Sequence, residues 1–136
     1  MTDLETTAYH EAAHAVVAIV LGVSFERVFI GAGYGELLFS GSAASWTAAE
    51  YRAAAVTSLA GTWGELHATG RSKGTSRSDL RVASAYARAY RAELAQLSGE
   101  ARLLVGRNWP SVRMIASELV CSRALCATTV RQLLRK

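Results

Sequence analysis

Proline occurs once in this chain, at Pro110, and cysteine twice, at Cys121 and Cys126. So little proline leaves long helices uninterrupted and argues against a polyproline linker. The two cysteines stand five apart on a stretch that reads as helix, so they point to different faces. That spacing argues against a CxxC site and against a structural disulfide. They are expected to be buried small apolar residues in a reducing compartment. Low-complexity tracts and long charge runs are absent, so disorder is not the default. The longest apolar run, around Ala12 to Val23, is too short to span a bilayer and carries His14. The opening MTDLETTAY is acidic and polar, unlike a secretory leader. A cytoplasmic protein without a membrane span is the expectation.

Hydrophobic residues make up 51% of the 136, enough for the core of one domain covering 1–136. Alanine is abundant, which favours closely packed helices. The net charge of +4 hides an asymmetry. Residues 1–69 hold seven acids and two bases, whereas 70–136 hold four acids and thirteen bases. A basic half suits an acidic partner or nucleic acid. No aromatic residues interleave with the bases in a nucleic-acid pattern, so a solvated arginine-rich helical surface is the favoured reading.

Periodicity predicts a first helix from near Thr2–Thr7 to Leu21, stopped by Gly22. Its second half, with Val16, Val17, Ile19, Val20 and Leu21, is apolar almost all round and is expected to be buried. FERVFIG and ELLFSG read as two short strands joined by the turn Gly31–Gly35. That turn is no phosphate loop, because no helix opens behind it and no lysine follows. Further helices are predicted over about 47–66, with Gly61 and Gly64 weakening the end, over 78–97, from near Gly99 with a break at Asn108-Trp-Pro, and over 127–134. The expected fold is mainly α: a compact helical domain with a small β-hairpin or sheet after the first helix.

His10, Glu11 and His14 stand within the apolar run YHEAAHAVVAIV. Residues four apart share one helix face, with Cβ atoms roughly 5–6 Å apart. Two imidazoles so placed can bind one tetrahedral metal ion, and Glu11, one step round the helix, reaches a water there instead of the ion. This is the H-E-x-x-H pattern of zinc hydrolases, in which the metal polarises the scissile carbonyl and the glutamate moves the proton. A catalytic zinc needs a third protein ligand and an open position. Glu36, Glu50, Glu65, His67 and Asp79 are the candidates, and spacing alone does not choose among them. Asp79 also completes an S-x-x-D helix start with Ser76.

YHEAAHAVVA, SLAGTWGELHATG and TSRSDLRVASAYAR, in that order, resemble the peptidase domain of the FtsH-type ATP-dependent zinc proteases. So does the tail ARLLVGRNWPSVRMIASELV, whereas residues 23–45 match loosely. The resemblance implies His10, His14 and Asp79 as ligands of one Zn2+ per chain and Glu11 as the general base. It implies Glu65 as an acid supporting a histidine ligand. Ala13 departs from the family motif, which has glycine there, and no Walker A loop is present. The implied activity is a zinc endopeptidase acting on flexible or unfolded polypeptides. An extended substrate is expected to join an edge strand near Val28–Ile30 or Leu37–Phe39. Two other readings stay open: a metal-holding module with little turnover that serves a partner, and a metal-free helical protein. Also open are a homo-oligomer, a separate ATPase and an acidic partner.

Overall fold

The computed structural model describes residues 1–135. Helix α1, Asp3–Leu21, begins where Thr2 accepts a hydrogen bond from the Glu5 N–H and Glu5 reaches back to Thr2. This reciprocal cap satisfies donors that a helix start otherwise leaves bare. Gly22 ends the helix in the left-handed conformation, φ 72°. Residues Glu11 to Ala18 are buried without interruption, but Val20 is 47% exposed. The all-round burial expected of this helix therefore stops short of its last turn.

Strands β1, Phe25–Gly31, and β2, Tyr34–Phe39, form an antiparallel hairpin. The turn is shorter than the sequence suggests, only Ala32-Gly33, with Gly33 at φ 80°. Tyr34 pairs with Gly31, and its ring lies where a side chain at position 31 would stand. A short strand β3, Ala124–Cys126, pairs with the other side of β1. The sheet order β2-β1-β3 puts Val28–Ile30 in the central strand, so the expectation of a free edge there fails. The edge strands are β2 and β3.

Helix α2, Ala48–Thr69, is capped by Thr47 and Glu50 in the same reciprocal manner as α1. It runs through Gly61 and Gly64 instead of weakening there. Both glycines are buried against α1. A Cβ at Gly64 would lie 2.6 Å from both Ala13 Cβ and the Tyr9 carbonyl oxygen. Close approach of two backbones, not a helix end, accounts for these residues.

The predicted 78–97 helix is two helices. Helix α3, Arg77–Tyr90, closes on Arg91 at φ 55°, where the Ala92 N–H turns back to Ala87 O. Helix α4, Leu94–Arg107, then lets the chain reverse, and both helices pack on α2. No glycine or proline marks this break, which explains why the pattern reads through it. Helix α5, Trp109–Ser122, starts at the predicted Asn108 break, with Pro110 in its first turn, where a missing N–H costs little. Helix α6 spans Ala127–Leu134. Both cysteines are exposed and free, contrary to the expectation of burial. Arg123, at φ 69°, ends α5, and alternation in β3 turns Leu125 inward and Cys126 outward. Leu97, Val105, Ile115 and Leu119 bury their side chains with Val16 and Val17 of α1 in one core. Among the described residues no helix is long and apolar enough to cross a membrane.

Candidate metal centre

The two histidines project from α1 toward α2 and the start of α3. His10 Nδ1 lies 2.6 Å from Glu65 Oε1, and His14 Nδ1 lies 2.6 Å from the Thr57 carbonyl oxygen. Both partners accept, so both Nδ1 atoms carry the proton and donate it. In the neutral rings Nε2 then holds a lone pair. These two Nε2 atoms face each other at 3.1 Å. Asp79 Oδ2 closes the triangle at 3.0 Å from His10 Nε2 and 3.3 Å from His14 Nε2. Three lone pairs converging on one point repel unless a cation lies among them. Four ligands at about 2.0–2.1 Å from a tetrahedral ion stand about 3.3–3.4 Å apart. The observed edges match within a few tenths of an ångström. His10, His14 and Asp79 thus form a group able to hold a metal ion.

Titration behaviour reflects the same crowding. Burial disfavours a charged His10, but hydrogen bonds to Asp79 and Glu65 outweigh it and raise its pKa to about 10. His14 is also raised, Asp79 prevailing over burial. Asp79 is pushed the other way: burial resists, yet the two rings hold its carboxyl far below the usual range. Without a metal, protons take the place of the cation.

Each functional side chain is set by an ordinary local device. Ser76 accepts a hydrogen bond from the Asp79 N–H at 3.1 Å, which fixes the first turn of α3. The Asp79 carboxylate does not complete the reciprocal cap, because it turns to the histidines. Glu65 stays ionised more readily than usual. Burial opposes this, while His10, the Lys73 N–H and Ser72 favour it. Glu11 is 4% exposed, and its carboxylate stands 3.9 Å from His10 Nε2. Burial raises its pKa, against the pull of the two imidazoles. A buried carboxyl of raised pKa suits proton transfer near neutral pH.

The remaining candidates lie elsewhere. Glu50 caps α2. His67 is exposed and stacks on Trp109 at 4.0 Å between ring centroids. Glu36 is an exposed residue of β2 at the rim of the cavity. That cavity, about 560 Å³, runs between β2 and the start of α3, with His10, Glu11, His14 and Asp79 in its wall.

Three contributors escaped the sequence reading. The Thr57 carbonyl carries no side-chain signal. Gly35 and Gly61 do carry one, since an isolated glycine in a strand or helix pattern marks close approach. A Cβ at Gly61 would collide with the His10 ring, 2.6 Å from Cδ2 and Cε1. The methyl group of Ala13 fills the space that Gly64 leaves. No family model and no curated protein matches this chain.

Proposed function

We propose that this protein is a zinc-dependent endopeptidase acting on flexible or unfolded polypeptides. The supporting observation is the convergence of two imidazole lone pairs and one carboxylate oxygen on a point beside a buried glutamate. The donor set of two nitrogens and one oxygen suits Zn2+, and three protein ligands leave a fourth position for substrate or water. Bound there, zinc supplies Lewis-acid polarisation of the scissile carbonyl.

The chain does the rest. His10 and His14 are locked as Nε2 donors by Glu65 and Thr57. Glu11 takes the proton of the attacking water and passes it to the leaving amine. Strand β2 has β1 on one side only and lines the cavity, so an extended peptide can add to it. Pairing with that edge needs an extended segment, which favours a substrate without fold of its own. Delivery by a separate ATPase fits the FtsH-type likeness of the quoted segments.

Metal analysis and cleavage of unfolded casein test this reading. One zinc per chain is expected, with cleavage that stops on chelation and returns with zinc. Tight zinc without cleavage of any peptide library points instead to a binding module. Absence of zinc after reconstitution removes both.

A further inference from the structure

Gly35 occupies an interior position of β2, paired with Ile30. Its φ is not among the positive values, so its backbone is open to any residue. Glycine weakens a strand, losing entropy on folding and leaving nothing to pack. The reason for it here is steric. A Cβ on Gly35 would lie 2.7 Å from Glu11 Cγ, 3.2 Å from Glu11 Cδ and 2.8 Å from the Phe29 carbonyl oxygen. The stem of Glu11 fills the space that a side chain in β2 would take. The Glu11 carboxylate opens onto the cavity, and His10 Nε2 stands 3.9 Å from it. Contact of its stem with β2 therefore bears on where this carboxylate stands.

We propose that Gly35 is the positioning residue for Glu11: the missing side chain seats the glutamate stem between α1 and the sheet and so sets the place of its carboxylate. This inference rests on the peptidase reading above. The same strand is an edge of the sheet and lines the cavity, so one short segment would both receive the peptide and aim the base at it. A side chain at 35 displaces either Glu11 or β2. The three atoms nearest a side chain at 35 belong to Glu11 and Phe29 and none to a metal ligand, so zinc affinity is expected to hold.

The test is Gly35→Ala, alone and with Glu11→Ala. Gly35→Ala is expected to bind one zinc per chain with wild-type affinity. Its kcat on an unfolded peptide substrate should fall about 10- to 100-fold, as for a base moved by about an ångström, with KM changed less than kcat. Its melting temperature should fall in the wild-type background and fall less in the Glu11→Ala background, where the obstructing Cγ is gone. The Phe29 contact is common to both backgrounds and cancels from that comparison. Unchanged kcat in Gly35→Ala, or equal thermal losses in both backgrounds, overturns the proposal. Should Gly35→Ala fail to fold, recovery in the double variant supports it and failure of both overturns it. A wild-type protein that holds zinc and cleaves nothing sinks the peptidase reading instead, and the thermal comparison still decides whether Gly35 seats Glu11.

Discussion

The ring of His10 lies in the space left by the missing side chain of Gly61. Ring atoms Cδ2 and Cε1 would stand 2.6 Å from a β-carbon there. The same glycine that lowers helix propensity in α2 brings the ring within reach of Glu65 and Asp79. Propensity is sacrificed for position.

Gly61→Ala therefore tests the centre directly. An added methyl group must push the ring or part the helices, an overpacking that costs about 1–3 kcal/mol. Zinc affinity should drop at least about tenfold, read by competition with a chromophoric chelator, and the melting temperature should fall. Gly99→Ala is the control. Gly99 sits inside α4 with nothing within 4 Å of its added Cβ. There the same exchange should stabilise by roughly 0.5–1 kcal/mol. Matching signs at the two positions would contradict the steric account.

Glu65→Gln keeps the shape of the side chain but weakens its hold on the His10 proton. Partners of this kind are worth about 10–100-fold in metal affinity. Loss of zinc affinity in that range is expected by isothermal titration. An unchanged dissociation constant would reduce Glu65 to a bystander.

Glu11→Gln separates binding from chemistry. Zinc stoichiometry and affinity should match the wild type, because Glu11 is not one of the three converging ligands. Peptide cleavage should fall by about 10²–10⁴, the usual contribution of a general base. Equal cleavage rates would remove Glu11 from that role.

Acidity should act on the metal-free protein with two opposite signs. The pKa of His10 rises from 6.5 to about 10 on folding. Its stabilising contribution is complete below pH 6.5 and disappears as pH climbs through about 10. Asp79 is depressed, so its contribution is present above its ordinary pKa of 3.8 and is lost as pH falls through the much lower folded value. Chelator-treated protein should thus melt at lower temperature at pH 10 than at pH 6. Zinc must displace the imidazole protons, so binding at pH 7 should release protons, and affinity should increase with pH. Calorimetry in two buffers of different ionisation enthalpy measures the release. No proton release would mean that the rings are neutral without metal.

Much of the centre was legible along the chain. His10 and His14 belong to one helix, and a four-residue spacing has a single geometric outcome on a helix face. The break at Asn108, the capped start of α3 at Ser76 and the hairpin after α1 were equally readable, because each depends on neighbours in sequence. The split at Arg91 was not. An arginine in the left-handed conformation leaves no local mark, and the reversal is imposed by packing two helices on α2. Strand β3 was missed for a similar reason: three residues become a strand only because β1 offers an edge. The burial expected of Cys126 failed there too, and that of Cys121 failed near the end of α5.

By itself the sequence determined the register of His10, Glu11 and His14, since one helix enforces it whatever surrounds it. Tertiary structure alone decided that Asp79 closes the triangle while Glu36, Glu50 and His67 stand apart, and that Glu65 meets His10 from behind. The difference is physical. A helix fixes distances over a few residues through its own hydrogen bonds. Bringing Asp79 Oδ2 within 3.0 Å of His10 Nε2 depends on how α1 and α3 are set against α2, and the approach of α1 to α2 is set where Gly61 and Gly64 meet His10 and Ala13, residues far apart in the chain.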